Sequence, residues 1–182
     1  MSVKSIIKLN NKSLANQQII IPSVPGEFYS YEYSFTKNEP LYFLLKCKSN
    51  KGYSINTDLQ IIKKQLDLTL IFDKKITLNS PNTESSLKLL HKYKLNFSDL
   101  NNTKIKLPHL SKEKFYEIFN AKNGLILKKI FEESDNNQSE IILLKDLIIS
   151  IKTDSGKYGL MLIKKLTENI CTVDACHILI LK

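Results

Sequence analysis

The C-terminal run from Glu140 to Lys182 decides the fold of this chain. It contains three stretches that are typical of strands, namely Ile141–Thr153, Tyr158–Leu166 and Ile170–Lys182. The first two are separated by Asp154-Ser155-Gly156-Lys157, where Gly156 occupies the turn position that most needs a positive φ. Three apolar runs separated by short polar turns predict an antiparallel sheet at the end of the chain.

The preceding chain alternates further strand patterns with a few helical ones. Strands are predicted at residues 3–9, 17–24, 27–35, 41–47, 66–72, 104–107 and 125–131. A short helix is predicted at residues 57–66, and Ser80-Pro81 predicts the cap and first residue of another. Leu87, Leu90 and Tyr93 support that second helix by their spacing, whereas Tyr93–Phe97 also fits a strand.

The clearest helix is predicted at residues 111–121. Ser111 is suited to cap its start, and Gly124 stands just past its end. Phe115, Ile118 and Phe119 lie on one face, so we expect this face to pack on the sheet. The fold class is therefore mostly β, at the margin of α+β: one antiparallel β-rich domain over residues 1–182, with one to three short helices. Residues 1–52 form a candidate N-terminal sub-region.

One strand pattern carries an aromatic face. Tyr29, Tyr31, Tyr33 and Phe35 alternate with polar residues, so their side chains share one side of a strand. Such a face can stack on a sugar, a base or a porphyrin. It can equally be part of the core, and we favour the core because aromatic residues are enriched in strands.

Composition and charge restrict the classes of function. The net charge is +9, and all 27 basic residues are lysine. Arginine is the main bidentate reader of guanine, and the lysines are dispersed, so sequence-specific nucleic-acid binding is disfavoured. No run approaches 18 apolar residues, which argues against a membrane-spanning helix, and the first residues lack the pattern of a signal peptide.

The sequence contains no recognised catalytic or metal-binding motif. Gly156-Lys157 superficially matches a phosphate loop, but Ile151 replaces its first glycine and Tyr158 its serine or threonine. Cys171 and Cys176 are five residues apart and are expected on opposite faces of a strand, so they predict neither a disulfide nor a shared metal. These patterns predict a protein that is not an enzyme.

The histidines are the remaining candidates for ligand binding. Two or more of His91, His109 and His177 would have to converge in space to hold haem or zinc, and spacing alone does not show convergence. The candidate binding residues are thus three tyrosines and three histidines: Tyr29, Tyr31, Tyr33, His91, His109 and His177. No catalytic residue, no metal and no cofactor is predicted, with haem kept as an alternative.

Several short segments resemble a known family in their order along the chain. They are Leu66–Phe72, Leu78–Pro81, Asn102–Lys104, Phe115–Ala121 and Ile151–Leu160, the last containing KTDSGKYGL. In this order, over about residues 53–182, they resemble β-rich surface lipoprotein domains of Bacteroidetes, which are similar to the haem-carrier (HmuY-like) family. The resemblance implies a mostly β, generally ligand-binding protein on the cell surface or in the periplasm, held by a lipid anchor.

Two functions follow as hypotheses. The first is a non-enzymatic cell-envelope binding protein whose partner is haem, a glycan or another protein. The second is an intracellular nucleic-acid-binding or interaction module that uses the lysine-rich surface. The two differ in salt dependence, because binding to random DNA through lysines weakens steeply as salt rises.

Overall fold

The structure is a computed structural model, and it describes residues 28–37, 41–42, 66–92 and 100–179. Several predicted features lie outside these ranges: the strands at residues 3–9 and 17–24, most of the strand at residues 41–47, the helix at residues 57–66 except its last residue, the alternative strand at residues 93–97, and Cys47. The prediction of one domain over residues 1–182 also extends beyond them and stays a prediction.

The described residues form nine strands and three helices. The strands are β1 Phe28–Thr36, β2 Leu41–Tyr42, β3 Leu68–Phe72, β4 Ile76–Asn79, β5 Lys104–Lys106, β6 Glu140–Ile142, β7 Ile148–Lys152, β8 Lys157–Leu166 and β9 Ile170–Leu179. The helices are α1 Glu84–Lys92, α2 Lys112–Ala121 and α3 Gly124–Glu133. One antiparallel sheet has the order β1-β9-β8-β7-β5 and the other β2-β3-β4-β6. The predicted mostly β class with short helices is confirmed.

Two hydrophobic clusters give the molecule three layers. The first lies between the sheets and joins Phe35 of β1, Leu70 of β3 and Ile151 of β7. The second lies on the other face of the five-stranded sheet, where Phe115 of α2 and Phe131 of α3 pack on that sheet. The order is therefore helices, five-stranded sheet and four-stranded sheet.

The five-stranded sheet lies between the helices and the four-stranded sheet, and this explains the uninterrupted apolar runs near the C-terminus. On β8, Met161 and Ile163 face the core between the sheets, and Leu160 and Leu162 face the helices. A strand that is covered on both faces has no solvent side, so it does not need polar residues at alternate positions. Cys171 and Cys176 on β9 follow the same rule, since they belong to different clusters. Their predicted opposite orientation is confirmed.

The turn between β7 and β8 has the predicted geometry. Gly156 has a φ of 79°, and its N–H donates to the carbonyl of Thr153 at 3.0 Å. The N–H of Thr153 in turn donates to the carbonyl of Lys157 at 3.0 Å. A glycine in the left-handed region closes such three-residue hairpins without a steric penalty, so this turn fixes the register of the two strands.

The predicted strand at residues 125–131 is wrong, because this segment is the helix α3. Its buried residues, Leu127 and Phe131, are four apart, which is the spacing of one helical face. Asn123 caps the helix through its side-chain oxygen, which accepts the N–H of Leu125 at 3.2 Å. Short apolar runs fit either structure, and here the contact with the sheet favours the helix.

Gly124 was expected just past the end of α2, but it begins α3. The left-handed residue that ends α2 is Lys122, with a φ of 51°. A Cβ added at Gly124 would clash with the side chain of Ile178. The glycine therefore permits close approach of α3 to β9 rather than a positive φ. The other α2 predictions are confirmed, because Ser111 caps it and Phe115, Ile118 and Phe119 pack on the sheet.

The single strand predicted for residues 141–153 is two strands. Asp146 takes a φ of 68°, and its N–H donates to the carbonyl of Ile163 at 2.8 Å. Aspartate tolerates this left-handed conformation better than most residues. The chain therefore leaves the four-stranded sheet after β6 and enters the five-stranded sheet as β7.

The helix predicted after Ser80-Pro81 begins later than expected. Its cap is Thr83, whose Oγ1 accepts the N–H of Ser86 at 3.2 Å. Ser80 is buried and has another role, since its Oγ accepts the N–H of Thr103 at 2.8 Å and donates to Oδ1 of Asn82 at 2.7 Å. Ser80 thereby ties the end of β4 to the segment that precedes β5.

The two sheets are also linked along one side. Ile105 of β5 and Gln138 exchange two backbone hydrogen bonds, at 2.9 and 2.8 Å, just before the chain enters β6. This bridge joins the edge strand β5 of the five-stranded sheet to the segment that leads into the edge strand β6 of the four-stranded sheet.

No helix in the described part of the chain is long and apolar enough to cross a membrane.

Candidate functional site

Three of the predicted binding residues meet at one end of the core between the sheets. Tyr29 of β1 lies opposite His177 of β9 in the strand register, and their rings stack with centroids 5.0 Å apart. The hydroxyl of Tyr31 is hydrogen-bonded to Nδ1 of His177 at 3.3 Å. His177 and Tyr31 are buried, whereas Tyr29 is half-buried. The alternation of β1 thus brings both tyrosines to the same imidazole.

A buried ion pair lies at the same end of the core. Nζ of Lys157 is 3.1 Å from Oδ2 and 3.4 Å from Oδ1 of Asp67, and the two side chains are 1% and 0% exposed. Lys157 begins β8, and Asp67 immediately precedes β3, so the pair connects the two sheets. Nδ2 of Asn101 donates to the carbonyl of Leu66 at 2.9 Å and lies 3.4 Å from Oδ1 of Asp67.

The ion pair and the aromatic cluster are neighbours through the register of β8 and β9. His177 pairs with Gly159, and Lys157 is two residues before Gly159 on the same face. Lys157 and His177 are therefore diagonal neighbours on adjacent strands, a separation that long side chains can bridge. We call Tyr29, Tyr31, His177, Lys157 and Asp67 the inter-sheet polar cluster.

Burial determines the protonation of three reactive side chains on β9. Desolvation, and then the charge of Lys157, lowers the pKa of His177 from 6.5 to about 4, so the imidazole is neutral at pH 7. Burial raises the pKa of Cys171 and that of Cys176 to about 12, so both remain thiols. Neither cysteine is a thiolate nucleophile at neutral pH.

The other predicted binding residues lie elsewhere. Tyr33 is buried further along β1, where its ring makes an edge contact with Phe35 at 4.7 Å. His91 is exposed near the end of α1, and the exposed His109 pairs through Nε2 with Asp135 at 2.9 Å. The structure therefore brings together Tyr29, Tyr31 and His177. The core interpretation of the aromatic face fits the burial of Tyr31, Tyr33 and Phe35.

The described histidines do not form an axial pair of the kind that holds haem between two imidazoles. An axial pair requires two imidazoles that face one open cleft. Here one imidazole is buried against two tyrosines, and the other two are exposed on α1 and before α2. Within the described ranges no group of three His, Cys, Asp or Glu side chains could hold a metal ion.

Sequence reasoning missed Asp67 and Lys157. Lys157 stands in a polar turn after Gly156, and Asp67 alternates with leucines, so both look like solvent-facing residues. The period-2 pattern does place Lys157 on the same face as Met161, which was the available signal. Their partnership spans 90 residues of sequence and depends on how the two sheets pack.

The neutral state of His177 predicts a loss of stability in mild acid. Its pKa is about 4 when folded and near 6.5 when unfolded, so the unfolded chain binds the proton more readily between these values. The free energy of unfolding should fall by on the order of 3 kcal/mol as pH drops through this window. Urea unfolding of the wild type and of His177→Phe tests this.

The variant should lose much of the pH dependence between 6.5 and 4. The matched control is His109→Gln, which removes an exposed imidazole and should leave the wild-type pH dependence unchanged. An equal slope in His177→Phe and the wild type would show that the buried imidazole does not cause it.

Comparison with known proteins identifies the fold but not a function. No protein-family model matches the chain, and no curated protein matches it. The structure is similar to a DUF4466 family protein from Parabacteroides merdae, with a TM-score of 0.58 and 17% sequence identity. The match covers 84% of this chain and 53% of that one, so this chain spans about half the length of that protein.

This likeness supports the coarser part of the sequence resemblance. The chain shares its fold with a β-rich protein from the Bacteroidetes, as the order of its segments predicted. The likeness does not point to the haem-carrier family in particular. At 17% identity it carries the architecture alone.

Proposed function

We propose that this chain is a non-enzymatic binding module of the bacterial cell envelope, and that it binds an extended segment of another protein along β6. The observation that carries the proposal is an edge strand with exposed apolar side chains. Ile142 is 46% exposed and Leu144, just beyond β6, is 62% exposed. Large exposed apolar side chains that lie close together mark contact surfaces more often than isolated ones do.

The backbone of β6 is suited to accept a further strand. The N–H of Leu143 donates to the carbonyl of Ile76, and the carbonyl of Ser139 accepts the N–H of Ser80, so odd-numbered residues face β4. The backbone groups of Glu140 and Ile142 therefore point away from β4. In the described sheet β6 is a terminal strand, and because Gln138 already pairs with Ile105 of β5, the edge offered to a further strand begins at Glu140. Strand addition supplies affinity through such groups and specificity through alternate side chains.

The enclosed state of the reactive groups supports a role without catalysis on a substrate. His177 is neutral and covered by tyrosines, and both described cysteines are buried thiols. A general base or nucleophile must come within hydrogen-bonding distance of its substrate. These groups would need the two sheets or the helix layer to open first.

The other candidate ligands have less support. For haem, the described histidines do not provide an axial pair of imidazoles. A glycan would need an exposed aromatic face, and among the predicted tyrosines Tyr31 and Tyr33 are buried. We therefore expect no Soret shift when haemin is added to the protein.

The envelope location rests on the resemblance to Bacteroidetes surface domains. The nucleic-acid hypothesis stays a prediction, which a salt titration of binding to random DNA would test.

Site-specific photo-cross-linking in the native host tests the proposal. A photo-reactive amino acid is placed at position 142 or 144, and, as a control, at position 129. Lys129 is exposed on α3, in the layer opposite the four-stranded sheet. We expect a discrete adduct with another protein from positions 142 and 144 and none from position 129. Equal labelling from all three positions, or none from β6, would contradict the proposal.

A further inference from the structure

We propose that Lys157 and Asp67 become joined by an intramolecular amide bond, which makes the contact between the two sheets covalent. The proposal concerns the buried ion pair and is independent of the β6 surface. Both oxygens of the carboxylate lie within 3.4 Å of Nζ of Lys157, so the carboxyl carbon between them is also close to that nitrogen. Attack requires Nζ and the carboxyl carbon to be held about 3–3.5 Å apart, and the contacts to both oxygens restrain Nζ beside that carbon.

The surroundings shield both groups from water. The lysine is 1% exposed and the aspartate 0% exposed, and they lie at one end of an apolar core. Burying charge is costly, and a proton transfer within the pair removes both charges at once. The resulting amine has the free electron pair that an ammonium lacks, and the resulting carboxylic acid is a better acceptor of a nucleophile than a carboxylate.

The reaction is a condensation that needs no other reactant. One proton first passes from Nζ of Lys157 to a carboxylate oxygen of Asp67. The Nζ electron pair then attacks Cγ of Asp67, and a new N–C bond forms. A second proton moves from Nζ to the oxygen that carries the first, and the bond from Cγ to that oxygen breaks. The products are one amide and one water molecule, with no change of oxidation state.

A second ion pair in the same protein provides a matched comparison. Nζ of Lys112 lies 2.7 Å from Oδ1 of Asp146, closer than in the buried pair, but the side chains are 47% and 45% exposed. Water solvates both side chains there, so the desolvation cost that acts on the buried pair is small. If burial decides the chemistry, only the Lys157–Asp67 pair should form an amide, despite its longer distance.

Mass spectrometry of the purified, denatured full chain tests the proposal. We expect the wild type to be lighter than its sequence by the mass of one water molecule. Trypsin should fail to cut after Lys157, and the peptide map should contain one branched species that joins the peptides of Asp67 and Lys157. The variants Lys157→Arg and Asp67→Ala should have their full sequence masses. No branched species should contain Lys112 and Asp146.

The wild-type peptide map decides the question even if a variant fails to fold. A full sequence mass, together with trypsin cleavage after Lys157, would overturn the proposal. A mass deficit of one water without a branched peptide would also overturn it, because an aspartate can lose water within its own peptide by forming a succinimide.

Discussion

Replacing Lys157 with methionine is expected to lower the free energy of unfolding by about 3–5 kcal/mol, because the change leaves the Asp67 carboxylate buried without its cation. Methionine has a similar length, so the packing loss is small compared with the electrostatic one. Urea unfolding of the wild type and the variant at neutral pH measures the difference. Lys112→Met, which removes the cation of a half-exposed pair, should cost at most about 1 kcal/mol.

The double variant Asp67→Leu/Lys157→Met separates the unpaired charge from other effects. It removes both charged groups, so it should be more stable than Lys157→Met alone. This comparison holds whether the wild type contains an ion pair or an amide, because neither variant can form the amide. If the double variant is less stable than the single one, an uncompensated carboxylate is not the cause of the loss.

Truncating Phe115 to alanine should cost about 3–5 kcal/mol, because this side chain is fully buried where α2 meets the five-stranded sheet. Its ring lies 5.3 Å from that of Tyr116 and 5.8 Å from that of Phe119, measured between centroids. Removing the ring leaves a cavity between α2 and the five-stranded sheet. Because the sheet is rigid, the helices cannot move enough to fill this cavity. Thermal or urea unfolding measures the loss.

Phe119→Ala is the matched control on the same helix. Phe119 is only partly buried against the cluster, so its truncation removes less apolar surface from water and should cost clearly less than that of Phe115. Equal losses from the two variants would contradict the deeper burial of Phe115 in the contact between α2 and the sheet.

The sequence predicted the sheet better than the helices, for a physical reason. Alternation along β1 and the long apolar runs of β8 and β9 have few alternative arrangements, and Gly156 marks the turn between β7 and β8. Residues 125–131 were wrongly predicted as a strand, because a short apolar run fits a strand or a buried helix. The packing of α3 on β9, which needs glycine at position 124, resolves the ambiguity, and a single sequence does not show it.

The candidate site shows the same limit. Alternation on β1 correctly grouped Tyr29 with Tyr31, but their contact with His177 depends on how β1 pairs with β9. The ion pair between Asp67 and Lys157 depends on the packing of two separate sheets, which no local pattern specifies. Exposure of Ile142 and Leu144 likewise follows from their position on the face opposite Ile141 and Leu143, which lie in the core between the sheets.

The central functional claim is that the β6 edge binds a protein in the cell envelope. Its most direct test combines the cross-linking at position 142 with fractionation of the native host and protease treatment of intact cells. We predict that the adduct lies in the envelope fraction or the periplasm, and that external protease digests it if it is on the surface. An adduct found in the cytoplasmic fraction, or no adduct at position 142, would contradict the account.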